Sequence, residues 1–198
     1  MSGNKKRVLG AILVGIAFLC IFTIGILWKY RTGLPRWILW ENKTVCDASG
    51  VYKIVIEDQS ILVLYDDDKI WTLSEDIKVQ DALFCDVDGD QTQELVVLCW
   101  KIGRYGQHKP FWVEEDEKTW SQHIFIYECE GAKIRPKWMS SYIGQEVTDI
   151  AADKKTATQR QNCLLLTDLD GTVSVWMWDS WGFTRQKDQE TSLYGQEK

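Results

Sequence analysis

The sequence predicts an all-β domain of about three four-stranded, blade-like sheets, a partial β-propeller, preceded by one transmembrane helix. Three observations carry that expectation. From residue 37 onward, short alternating or apolar runs follow one another between turn residues, with no helical period. Those runs group into three sets of four that align at a spacing of about 45 residues, the spacing of propeller-type repeats. Ahead of them, residues 8–28 read VLGAILVGIAFLCIFTIGILW without a charge, long enough to cross about 30 Å of hydrocarbon as a helix.

In chain order, residues 1–7 form a basic leader, 8–28 the span, 29–36 a linker and 37–198 the β-domain. A cleaved signal peptide would have a shorter apolar core, about 7 to 15 residues, and then a small-x-small site. Here Thr23 and Gly25 have that spacing but lead into Ile26, Leu27 and Trp28, and Cys20 follows Phe18 and Leu19 without the small residue of a lipoprotein signal. The span therefore reads as an uncleaved signal anchor. Lys5, Lys6 and Arg7 on one side balance Lys29, Arg31 and Arg36 on the other; the short basic leader favours a cytoplasmic N-terminus and an extracellular C-terminal domain at the cell membrane. A formal charge of -6 disfavours nucleic acid, which asks for a basic surface.

Strands are expected over residues 37–44, 52–57, 61–65 and 70–73 in the first set. The second set covers 82–85, 95–100, 123–127 and 134–139, and the third 147–151, 164–167, 173–178 and 183–186. Trp71, Trp138 and Phe183 hold corresponding places on the closing strands. Closed propellers have about four to eight blades, so three would be completed by a second copy of the chain or by another protein.

Between the runs 82–85 and 95–100 lies Asp86-Val-Asp-Gly-Asp-Gln-Thr-Gln-Glu94. Carboxylates at alternate positions suit a tight loop wrapped around a hard cation, with the Thr92 carbonyl filling the gap in the series. Ca²⁺ is the natural guest. A solvated turn is the competing reading, because Asp and Gly supply turn geometry without a metal. An EF-hand does not fit, since its sixth and twelfth positions would be Gln91 and Val97 rather than Gly and Glu.

The loop and the Leu-Val-Val that follows it resemble the FG-GAP or VCBS repeat of integrin-α-type propellers. That resemblance implies a loop joining the first two strands of a blade, with Asp86, Asp88, Asp90, Glu94 and the Thr92 carbonyl as Ca²⁺ ligands. Gln91 stands where the family usually has Gly, which matters if that position takes a positive φ.

The corresponding loop of the third set, around Lys154 and Lys155, replaces acids with bases and cannot hold a cation. Asp66 to Lys69 and Asp168 to Gly171 read as hairpin turns. Five of the six Cys lie outside the span without metal spacing; Cys85, Cys99 and Cys129 read as small core residues, with a Cys85–Cys99 bridge in an oxidising compartment as the alternative. The insertion over residues 103–120 carries Tyr105, Phe111, Trp112 and Trp120. It reads either as a partner-binding or glycan-stacking loop or as a lid packed on its own sheet. His108 and His123 accompany no catalytic motif, so no enzyme is expected.

The function that follows is a non-catalytic, membrane-anchored binding or assembly module with a structural calcium loop, displayed outside the membrane. The alternatives are an accessory subunit of an envelope polysaccharide- or polymer-synthesising complex, and a glycan-binding module. Partners would be the membrane itself, a protein or second copy completing the propeller, and a surface polymer or glycan.

Overall fold

The computed structural model describes residues 15–16, 18–25, 33–105, 109–140, 142–153 and 161–186. Among the described residues, twelve strands form three four-stranded antiparallel sheets. The first sheet is β1 (Lys43–Cys46), β2 (Tyr52–Glu57), β3 (Ser60–Tyr65) and β4 (Asp68–Thr72), a simple meander. The second runs β5 (Lys78–Cys85), β6 (Glu94–Ile102), β7 (Trp120–Glu130) and β8 (Lys133–Met139). The third is β9 (Val147–Asp153), β10 (Cys163–Asp168), β11 (Val173–Asp179) and β12 (Gly182–Arg185).

Turn chemistry explains the meanders. Glu57 pairs with Ser60 and Tyr65 with Asp68, so each hairpin closes in two residues. Asp58, Gln59, Asp66 and Asp67 all take positive φ, the backbone of a type I′ turn that follows the right-handed strand twist.

The second sheet is central because both of its faces are buried. Leu95, Val97 and Cys99 of β6 point with Phe125 and Tyr127 into a core shared with Ile54, Ile56, Ile61 and Val63 of the first sheet. Val96 and Leu98 point the other way, with Ile124 and Ile126, against Val147, Ile150, Leu164 and Leu166 of the third. Burial on both faces explains why β6 reads as a continuous apolar run. The side-chain period of two also separates Cys85 from Cys99. They lie in different cores and all six Cys are free, so the bridge does not form.

A polar staple ties the second sheet to the third. β5 bulges at Gln80, where register jumps from Val79–Cys99 to Asp81–Leu98, and the bulge re-aims that side chain. Its amide nitrogen donates to the carbonyls of Val147 and Thr148 at 3.1 and 3.0 Å, and its oxygen accepts from Trp100 Nε1 and Gln122 Nε2 at 2.7 and 2.8 Å. Gln122 completes the set by donating to the Val147 carbonyl at 2.7 Å and accepting from the Val147 N–H at 2.8 Å. Two glutamines thus satisfy buried groups of β9 as a neighbouring strand would.

Three expectations are corrected. Among the described residues no sheet closes into a propeller: the first and third sheets lie on opposite faces of the second, share neither core, and are joined by no strand pairing. Among the described residues no helix is long and apolar enough to cross a membrane. Much of the expected 8–28 span lies outside the described residues; within it, residues 15–16 and 18–25 are helical. The transmembrane anchor, the membrane as partner, and a cytoplasmic N-terminus with an extracellular domain are therefore not supported. The first strand begins later than expected, because Ile38 is buried outside any strand and Trp37 packs edge-on to Trp100 at 5.8 Å.

Candidate metal centre

The loop between β5 and β6 is folded by its own carboxylates. Asp86 accepts from the N–H groups of Gly89 and Gln91 at 2.6 and 3.0 Å, Asp88 from Asp90 N–H at 3.2 Å, and Asp90 from Thr92 N–H at 2.7 Å. Glu94, 2% exposed at the start of β6, accepts from Val87 N–H at 2.9 Å. The backbone takes positive φ at Gly89 and also at Gln91, where φ is 77°. A left-handed glutamine is a cost this loop carries for its shape.

Asp86, Asp88 and Glu94 each present one oxygen within 4.8 Å of the others, a cluster that could coordinate a metal ion. Asp90, the other expected carboxylate ligand, is exposed and outside that group; Thr92, expected to contribute its carbonyl, is also exposed. An all-oxygen donor set suits a hard cation. Cys85, adjacent in sequence, is not part of the cluster; burial, with the Glu94 and Asp86 charges beside it, pushes its thiol well above its ordinary range.

Lys137 is the group that sequence reasoning missed. Its ammonium donates to Asp88 Oδ2 and Glu94 Oε1, both at 2.6 Å, and lies 3.7 Å from Glu128 Oε1. It gets there through a bulge: Ile126 pairs with Trp138 and Tyr127 with Pro136, leaving Lys137 as the extra residue of β8. Burial works against the lysine charge, but the hydrogen bonds and charges of Asp88 and Glu94 outweigh it and hold its pKa above the ordinary range. At the more deeply buried Glu94 the balance reverses. Desolvation dominates over Lys137 and the Val87 N–H, and its carboxyl is pushed up.

The loop also touches all three sheets. Gln93 Oε1 accepts from Ala48 N–H in the β1–β2 turn at 2.6 Å. On the other side the Asn162 N–H, at the start of β10, donates to the Asp86 carbonyl at 2.7 Å, while the Asp86 N–H donates to Asn162 Oδ1 at 3.2 Å.

The insertion after β6 folds around Asp116, whose carboxylate accepts from the N–H groups of Arg104 and Tyr105 and fits against Gly103 so closely that a Cβ there would clash. Phe111 and Trp112 are 94% and 70% exposed, stacked edge-to-face at 4.8 Å. Trp120 instead begins β7 and lines a separate cleft of about 150 Å³ with Arg104 and Tyr142. Tyr105 stands on the turn held by Asp116, Phe111 and Trp112 pair in solvent, and Trp120 opens β7; no glycan or protein partner is shown at them. His123 is fully buried, between Ser121 Oγ, the Ser140 carbonyl and the Gly103 carbonyl.

No protein-family model, curated protein or solved structure matches the chain. The resemblance to the FG-GAP or VCBS repeat is thereby corrected: it is confined to carboxylate spacing in one loop, and the envelope, display and propeller-completing roles that accompanied it have no support.

Proposed function

We propose that this chain is a non-catalytic β-sheet module whose 86–94 loop takes up Ca²⁺ and so fastens its three sheets together. The observation that carries this reading is the convergence of Asp86, Asp88 and Glu94 on one position. Three carboxylates around a single ammonium leave negative charge uncompensated, which a divalent ion neutralises better. Ca²⁺ tolerates irregular oxygen shells of about six to eight ligands, whereas Mg²⁺ demands a near-ideal octahedron. Asp90 and the Thr92 carbonyl are the groups at hand to complete the shell. Lys137 acts as the resident counter-charge, and Glu128 is the acceptor beside it when the metal displaces it. Non-catalytic use is supported by the burial of His123 and by carboxylates spent on backbone N–H groups and Lys137.

The test is the thermal midpoint of the full chain in Ca²⁺ and in chelator. An ion bound only by the folded form adds about 2.7 kcal/mol at 100 times its dissociation constant, or about 5 to 11 °C for a chain of this size. The shift is expected in wild type and lost in Asp88→Ala. Equal midpoints in both media, for wild type and for Lys137→Met, would refute it.

A further inference from the structure

The second and third sheets adjoin along β5 and β9 and part towards β8 and β12, and the wedge between them holds a cavity of about 370 Å³. Its floor is Leu164 and Leu166, its walls are Trp138, Trp176 and Phe183, and Trp181 stands at its mouth. We propose that this wedge is a binding site for a small, uncharged molecule bearing a planar ring and a hydrogen-bond acceptor.

Four observations select that chemistry. The volume falls within the ~300–1,000 Å³ of small-molecule sites. No charged side chain lines the wedge, so an ionic ligand would lose its hydration without a counter-charge. The walls are aromatic and already interlocked, with Trp138 and Phe183 edge-to-face at 5.7 Å and both held by Trp178; rigid ring surfaces favour a flat ring. The polar groups on the lining are few and neutral, the Ser140 and Tyr142 hydroxyls and the indole N–H groups. Trp176 spends its N–H on Ser174 Oγ at 2.9 Å, whereas Trp138 Nε1 faces Gly182, where a Cβ would sit 3.5 Å away. Gly182 places no side chain over that donor, and a larger residue there would cover it.

The mouth is built to match. Trp181 is 83% exposed, on a turn where Ser180 holds φ at 57°. A non-glycine residue in the left-handed region carries strain, and here it holds a large aromatic over the opening.

The experiment titrates the full chain with 6-propionyl-2-dimethylaminonaphthalene, a neutral naphthalene with a ketone acceptor whose emission reports an apolar site. Saturable one-to-one binding is expected. Trp181→Ala and Gly182→Leu should each weaken it at least tenfold while the thermal midpoint stays within a few degrees of wild type. The anionic probe 1-anilinonaphthalene-8-sulfonate should bind at least tenfold more weakly. Non-saturable signal, unchanged affinity in either variant, or equal binding of the anion would overturn the proposal. So would exclusion of the ketone probe with uptake of a Trp-bearing peptide, which would assign the wedge to a protein side chain.

Discussion

Replacing Lys137 by Met removes the ammonium from between Asp88 and Glu94 while keeping most of the side chain's volume. The consequence is set by burial: Glu94 is 2% and Lys137 12% exposed at the side chain, so the carboxylate left behind cannot recover its hydration. Breaking a buried pair by removing one partner costs about 3–5 kcal/mol; partial exposure of Asp88 places this site near about 3 kcal/mol. For a chain of this size that is a loss of about 6 to 12 °C in thermal midpoint. The loss depends on pH in a definite direction. Glu94 already titrates above its ordinary range because of burial, and removing Lys137 raises it further. A raised carboxyl stabilises the fold when protonated and loses that contribution as pH rises through its folded value. In chelator, the deficit of Lys137→Met against wild type should therefore be larger at pH 8 than at pH 5. Saturating Ca²⁺ should recover most of the deficit at pH 8. Urea unfolding at both pH values measures all of this; a deficit below about 0.5 kcal/mol at pH 8, within the range of ordinary surface substitutions, would refute the account of Lys137 as the loop's counter-charge.

Three further outcomes follow from the same structure. Gln122→Leu should cost about 1–3 kcal/mol in urea unfolding, because it orphans the buried Val147 N–H and removes one of the two donors to the Val147 carbonyl and to Gln80 Oε1. Gln91→Gly relieves a left-handed non-glycine worth about 1–2 kcal/mol, less about 0.5–1 kcal/mol of added chain entropy; chemical denaturation should show a net gain of up to about 1 kcal/mol. Leu98→Ala, at a fully buried site between the second and third sheets, should lose about 2–5 kcal/mol by the same assay.

Local pattern carried the strands well and the side chains that break pattern poorly. The apolar run of β6 and the Asp66–Asp67 hairpin were legible, because period, β-branching and turn chemistry act within a few residues. The twelve strands accordingly lie close to their expected places, except at Trp37 and Ile38, whose apolar character is spent on plugging rather than pairing. The acidic loop was visible from its spacing, but its counter-charge was not. Lys137 and Gln80 both occupy β-bulges, and a bulge turns a side chain off the face that alternation assigns. The Cys85–Cys99 alternative failed for a related reason, since facing sides of one sheet depend on register, which adjacency in sequence does not convey. The partial propeller inferred from repeat spacing failed at a longer range, although its three four-stranded sheets are present: similar sheets can stack without closing. The insertion reads from sequence either as a recognition loop or as a lid packed on its own sheet; in the structure Trp120 belongs to β7 while Phe111 and Trp112 stand out in solvent.

The central claim is tested most directly by calorimetric titration of the metal-free full chain with Ca²⁺, in wild type and in Lys137→Met. If Lys137 and the metal compete for Asp88 and Glu94, wild type binds one Ca²⁺ per chain, and Lys137→Met binds the same single ion at least tenfold more tightly. Absence of binding heat in both proteins, or one-site binding unaltered by Lys137→Met, would contradict it.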